Sequence, residues 1–182
     1  MSSNVDERFD EMKQSFLASA ITDISTYIQL ADTKVSIIMG ALVALIAGIL
    51  ACYDPIIKVV SNVSPCSWVG ISIVIFSVLC LSSVIAVFVL GILTIRAHSS
   101  IINYKSKWYL PQSTQVYSFD EYKQDVVSMT KKDIIENMVA ELYKLNDINR
   151  QKSKTMKWTI RSFSFALFTV AVLGVLLLIS TL

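Results

Sequence analysis

The chain has 182 residues, of which 54% are hydrophobic and only 16% are Asp, Glu, Lys or Arg, against about a quarter charged in an ordinary soluble domain. Its formal net charge of +2 hides an acidic N-terminal stretch and a basic one from Arg96 to Arg161, whose cations gather beside hydrophobic runs. This pattern excludes an ordinary soluble globule and argues against a nucleic-acid polymer as partner, because a continuous basic face interleaved with aromatics is missing.

Taken in chain order, residues 1–34 predict a cytoplasmic amphipathic helix. Asn4 and Glu7 stand at capping-box spacing. Phe9, Met12, Phe16, Ala20, Ile24, Tyr27 and Ala31 then recur at steps of three and four, the spacing of an apolar helical stripe. No Gly or Pro interrupts Val5 to Ile38, so the helix runs on into a first transmembrane span over residues 35–53. Val35 to Tyr53 carries no charge and is long enough to cross ~30 Å of hydrocarbon at ~1.5 Å per residue.

Residues 54–65 form a short external loop, and residues 66–95 a second span that Pro65 starts. This run exceeds what a bilayer needs, so it tilts or projects. Residues 96–157 make a cytoplasmic loop and helical region. Its loop lies between Asn103 and Tyr117, around Pro111 and the run Lys105-Ser106-Lys107-Trp108-Tyr109. Ser118 with Glu121 caps a short helix that ends before Thr130, and Thr130 with Asp133 caps the next. Ile135, Met138, Leu142 and Leu145 give that helix an apolar stripe. Residues 158–182 are the third span. The expected fold is therefore all-α: an integral membrane protein with three transmembrane helices and a cytoplasmic helical stalk. Two stalk helices approaching the membrane in one direction also offer a surface for a homo-oligomer.

Lys58 is the one cation of the segment from Asp54 to Ser67, while Lys34, Arg96, Lys105, Lys107, Arg150, Lys152, Lys154, Lys157 and Arg161 flank the other ends of the spans. The positive-inside rule puts the N-terminus and residues 96–157 in the cytoplasm and the C-terminus outside. The acidic start and the long first apolar run do not read as a secretory signal peptide. Cys52 and Cys66 flank the external loop and read either as a pair or as two small apolar residues; no Cys/His spacing indicates a metal. No nucleophile elbow, phosphate loop or dinucleotide fingerprint occurs, so neither catalytic residues nor a cofactor is expected. The spans carry few ionisable groups, which favours a lesion or wide pore over a tuned channel. Ser72, Ser77, Ser82, Ser83 and Gly91 permit close helix packing.

The most informative polar cluster is Ala31-Asp32-Thr33-Lys34, at the cytoplasmic edge of the first span. Charges entering an interface must be paired, hydrated or bound to a ligand. Either Asp32 pairs with a cation such as Arg96 while Lys34 snorkels to headgroups, or the two form a gating junction. The basic run Arg150, Lys152, Lys154, Lys157 and Arg161 is open to the same two readings, anionic lipid or an anionic ligand. Trp108 and Tyr109 serve as interfacial anchors or stack on a base.

Ala31-Asp32-Thr33-Lys34, following an amphipathic helix and leading into a span, resembles the ADTK-type signature of Pycsar effector membrane proteins. The likeness extends through the second span, the loop around Trp108, and the helix from Leu142-Tyr143-Lys144-Leu145 to Lys157-Trp158. Members of that family are bacterial antiphage effectors encoded beside nucleotide cyclases. The resemblance implies a non-enzymatic protein of the bacterial inner membrane that senses a cyclic nucleotide, with a cyclic pyrimidine mononucleotide as one candidate, and impairs that membrane in abortive infection. Its carry-over to residues is limited to Asp32 and Lys34 as gating residues, with weaker support for the basic helix. The candidate ligand contacts are Lys34, Arg96, Arg150 and Lys154, which gather near the inner interface, and Trp108, which can stack on a base. The chain departs from a two-domain sensor in having no separate cyclic-nucleotide-binding domain, so sensing falls to the stalk or to another subunit. The competing expectation is a membrane scaffold or accessory subunit whose stalk binds a protein partner.

Overall fold

A computed structural model of the chain describes residues 2–96, 107 and 118–181, with side chains from Arg8 onward. The described residues form helices and no strand: α1 (Ser2–Ala51), α2 (Tyr53–Ser61), α3 (Trp68–Ile95), α4 (Phe119–Val127) and α5 (Lys131–Thr181). Three of them, α1, α3 and α5, contain stretches long and apolar enough to cross a membrane. This is the all-α, three-span class that the composition predicts. The chain divides into two compact units, Met1–Leu30 with Ala97–Gln151 and Ala31–Arg96 with Lys152–Leu182. We call the first the polar unit and the second the apolar unit.

In the apolar unit, Val35 and Leu42 of α1, Val87 and Thr94 of α3, and Thr159, Ala166 and Thr169 of α5 are fully buried. Large aliphatic and aromatic side chains point outward, among them Ile37, Leu50, Val74, Leu81, Phe168 and Leu178. In water this surface would be a large unpaired apolar patch; in lipid it meets its own kind. Helices are also the element that satisfies every backbone group internally there. The buried hydroxyls follow the same rule. Ser83 donates to Cys80 O, Thr94 to Leu90 O, Thr159 to Thr155 O and Thr169 to Ala166 O, at 2.7–3.0 Å. Each hydroxyl closes on its own helix, so these residues pack as small, nearly apolar spacers.

Close approach is visible at Gly91, where a Cβ would lie 2.8 Å from Met39 Sδ. That contact brings the end of α3 against the early part of α1 within this unit. At the opposite end Ile49 and Leu50 of α1, Ile73 and Leu81 of α3, and Leu173 and Leu177 of α5 line one apolar cavity of about 500 Å³. Hence α1 and α5 run parallel within the apolar unit and α3 runs against them. With 28 residues, α3 is about 42 Å long and exceeds the hydrocarbon thickness, as the sequence predicts.

Two local differences from expectation concern the segment before α3. Residues 54–65 include α2, because Pro55 falls in a first turn, where its missing N–H costs no intrahelical bond. The second span helix starts at Trp68, later than Pro65. Ser67 caps it: its Oγ accepts from Gly70 N at 3.0 Å and donates to Ser64 O at 2.7 Å. Cys52, Cys66 and Cys80 are free thiols.

In the polar unit, α4 and the first part of α5 begin at the capping boxes the sequence predicts. Ser118 Oγ accepts from Glu121 N while Glu121 Oε2 accepts from Ser118 N, at 3.4 and 2.9 Å. Thr130 and Asp133 repeat the arrangement, at 3.3 and 2.9 Å. The proposed Asn4–Glu7 box lies outside the described side chains, and α1 already begins at Ser2.

The apolar stripe of α1 is not the expected one. Phe9, Met12, Phe16 and Tyr27 are exposed, while Leu17, Ile21, Ile24, Ile28 and Ala31 turn inward. The inward series alternates steps of four and three and continues unbroken to Val35, Ile38 and Leu42, a heptad seam. The aromatic series has no such continuation, since its next turns bring Thr33 and Lys34. A seam shared with the span therefore wins over a locally more hydrophobic face.

Candidate functional site

The third helix, α5, carries a seam of the same period, through Met138, Glu141, Leu145, Ile148, Lys152, Thr155, Thr159, Ser162, Ala166 and Thr169. A seam normally holds aliphatic side chains. Here Lys152 takes a seam position, and its side chain is only 7% exposed. An ammonium so placed must be paired. Lys152 Nζ donates to both oxygens of the Asp32 carboxylate, at 2.6 and 2.7 Å, across 120 residues of sequence. The charge-assisted geometry is short and strong. Asp32 sits on α1 beside the buried Ala31, with its carboxylate about one-third exposed. The pair thus has one wet edge and one dry one, within the apolar unit.

Asp32, which the sequence motif points to, is central to this arrangement. Lys152 belonged to the basic run but not to the candidate contacts; the signal that finds it is the heptad phase of α5, on which it falls between Ile148 and Thr155. The remaining candidates do not converge on this pair as described. Lys34 and Lys154 are exposed. Arg96 is exposed at the C-cap of α3, where its backbone N–H bonds Ile92 O at 2.9 Å. Arg150, in the polar unit, is exposed and pairs with Asp147 on its own helix at 3.1 Å. Trp108 and the rest of the 103–117 loop, apart from Lys107, lie outside the described residues. Arg161 stacks on Trp158, 5.3 Å from the ring centroid, an arrangement suited to a membrane interface.

The polar unit holds a second set of interior polar groups that no local sequence motif marks out. Asn137 is 3% exposed, and its Oδ1 accepts from Lys107 N at 3.3 Å. Tyr122 on α4 donates to Lys107 O at 2.9 Å, and Lys107 Nζ reaches Asp125 O at 3.4 Å. Lys107 thereby ties α4 to α5. One turn beyond Asn137, Glu141 and Lys144 form an ion pair at 3.2 Å, with side chains only 13% and 10% exposed.

Residues 16–180 match the family model described as the Pycsar effector protein domain, PycTM. No curated protein and no solved structure matches the chain. The match covers all three apolar helices, the Asp32–Lys152 pair and the interior polar groups of α5. The chain belongs to the Pycsar effector family, as a multi-pass membrane protein of antiphage defence whose family implies a cyclic nucleotide signal.

Proposed function

We propose that this chain is a cyclic-nucleotide-triggered effector that impairs the bacterial inner membrane when activated, and that Asp32 and Lys152 hold its resting arrangement. The observation that carries the reading is the ion pair itself. It joins the two helices, α1 and α5, that run from the polar unit into the apolar one. Burying a seam lysine and a carboxylate there gains no more stability than a pair of apolar side chains would, whereas a pair that can separate gives a two-state element. A signal shifts such an element only by binding one state more tightly than the other.

On this reading the N-terminus and residues 96–157 face the cytoplasm, residues 54–65 and the C-terminus face outward, and Lys34, Lys154 and Arg161 meet anionic headgroups. The protein acts as a homo-oligomer. The exposed stripe of Phe9, Met12 and Phe16 on the polar unit supports this, because apolar side chains of that size in water call for a partner surface.

The test is dye release from liposomes carrying the purified protein, with 3′,5′-cyclic UMP, CMP, AMP and GMP added to the side of the polar unit. Nucleotide-dependent release is expected, with Asp32→Ala and Lys152→Met releasing dye at lower nucleotide or with none. Phe16→Glu is expected to lower the oligomer size in mild detergent. Absence of release with all four nucleotides, together with capture of a defined protein partner by the polar unit, would put the scaffold reading in its place.

A further inference from the structure

The cavity at the α2 end of the apolar unit is a feature that helix packing alone does not account for. Protein interiors leave few voids wider than a water molecule, yet this one measures about 500 Å³, a volume typical of sites for small ligands. Its lining is aliphatic apart from Ser77, Cys80 and Gly174. Water there would lack the several polar partners that hold a buried water in place. The occupant that suits this lining is a hydrocarbon.

The dimensions narrow the choice further. On α3 the lining runs from Ile73 to Val84, about 16 Å along the helix axis. That is close to the ~15 Å of hydrocarbon in one leaflet. A helix about 10 Å across would need well over ~1,000 Å³ for the same length, so a span of a second copy does not fit, whereas a single extended alkyl chain does. Gly174 contributes to the width: it lines the cavity, and a Cβ there would meet nothing within 4 Å.

Two observations connect the cavity with the bilayer. Leu50 and Leu81 line it and are also 65% and 63% exposed, so it communicates with the lipid-facing surface. At its end Ile56 and Val60 of α2 line it from one helix face, while Asp54 and Lys58 stand on the opposite face and are exposed. A short helix divided in this way lies in the plane of the headgroups, and the exposed Tyr53 at its start suits the same level. The cavity is thus a slot that begins beside the headgroups and runs toward the bilayer midplane.

We propose that this slot is a lipid site, which takes one acyl chain of a phospholipid from the leaflet on the α2 side, with the headgroup level with α2. The chain completes the packing of α1, α3 and α5 at the end of the unit remote from the Asp32–Lys152 pair. It is held between the helices, unlike the lipid that only surrounds them.

The experiment is native mass spectrometry of the full-length protein, reconstituted with palmitoyl-oleoyl phosphatidylethanolamine and then exchanged into dodecyl maltoside. The wild type is expected to retain one phospholipid per chain. Gly174→Leu, whose side chain occupies the slot, is expected to lower the retained fraction at least tenfold. Gly48→Leu is the control: a Cβ there also meets nothing within 4 Å, but the residue does not line the cavity, and it should retain lipid as the wild type does. A second measurement leaves the slot intact. With Cys52→Ser and Cys66→Ser in place, the remaining free thiol is Cys80, which lines the cavity. Its alkylation by N-phenylmaleimide in detergent should slow at least tenfold when the same phospholipid is added. Dihexanoyl phosphatidylethanolamine, with the same headgroup and chains too short for the slot, should protect little. If circular dichroism shows that Gly174→Leu is unfolded, Cys80 protection decides the matter. No retained phospholipid on the wild type, equal retention by a folded Gly174→Leu, or Cys80 alkylation that lipid leaves unchanged would each overturn the site. Equal protection by the long and short lipids would place binding at the headgroup and overturn it too.

Discussion

The two units solve the same problem, burial of polar groups, in opposite ways. In the apolar unit buried hydroxyls turn back on their own helix: Ser83, Thr94, Thr159 and Thr169 each bond a carbonyl three or four residues earlier. In the polar unit, although Glu141 and Lys144 pair along one helix, other interior groups reach to other elements, as Tyr122 and Asn137 do through Lys107. The difference follows from solvent. Where lipid surrounds a helix, a polar atom that looks outward finds nothing, so it is closed locally; where water is near, long-range polar contacts cost less to assemble. A polar side chain that breaks the local rule inside the apolar unit is therefore informative, and the Lys152–Asp32 pair breaks it.

The largest expected effect comes from breaking that pair on the wrong side. Asp32→Ala strands the Lys152 ammonium, 7% exposed, and removing one partner of a buried pair costs about 3–5 kcal/mol. The one-third exposure of Asp32 admits water and moves the expectation to the low end of that range. Lys152→Met leaves a carboxylate with access to water, so it should cost less, and Asp32→Leu with Lys152→Met together should restore most of the assembly. Lys132→Ala in the polar unit, whose pair with Glu136 is exposed at 84% and 57%, should move stability by at most about 1 kcal/mol. Denaturation of detergent-solubilised protein measures all four. Equal effects of Asp32→Ala and Lys132→Ala would remove the distinction between the units.

A smaller effect is expected from glycine. A Cβ at Gly70 would lie 2.5 Å from Ser64 O, a backbone atom of the turn that precedes α3. Gly70→Ala must shift that turn, at about 1–3 kcal/mol. At Gly174 a Cβ meets nothing within 4 Å, so Gly174→Ala should be neutral or slightly stabilising through helix propensity. Thermal midpoints of the two variants give the comparison, and a Gly174→Ala loss equal to that of Gly70→Ala would contradict the packing described.

What the sequence makes legible and what it hides divide along the range of the interactions. The three spans are readable because lack of charge over a bilayer's thickness is a local property. So are the capping boxes of Ser118 and Thr130, each contained within four residues. The inward face of α1 is not, because Phe9, Met12 and Phe16 compete with Leu17, Ile21 and Ile24 and only the continuation into Val35 and Leu42 decides. Lys152 as the partner of Asp32 is hidden for a stronger reason: it needs the register of two helices 120 residues apart. Glu141 and Lys144 look like an ordinary surface pair until the phase of α5 turns them inward.

The smallest expected effect belongs to the start of α5 and concerns pH. The Asp133 carboxyl is held below the usual carboxylate range, first by the hydrogen bond from the Thr130 hydroxyl, then by that from the Thr130 backbone N–H, with smaller help from Lys107 and Lys132. The bonds are 2.7 and 2.9 Å. A carboxyl whose folded pKa is depressed stabilises the fold fully above its unfolded value, here 3.8, and that contribution fades as pH falls through the folded pKa. The first turn of α5 should accordingly keep its amide protection from neutral pH down to about pH 4 and lose it at lower pH. Thr130→Ala removes the largest cause but keeps the backbone bond, so the Asp133 titration should move up part of the way toward 3.8, and fraying should begin at higher pH. Carbon-detected NMR titration of Asp133 in the full chain, with hydrogen exchange at residues 131–134, reads both changes. The span end of α5 should show neither, since its hydroxyls close on their own carbonyls and do not titrate. An Asp133 titration that is the same in wild type and Thr130→Ala would mean that the box does not hold the carboxylate as described.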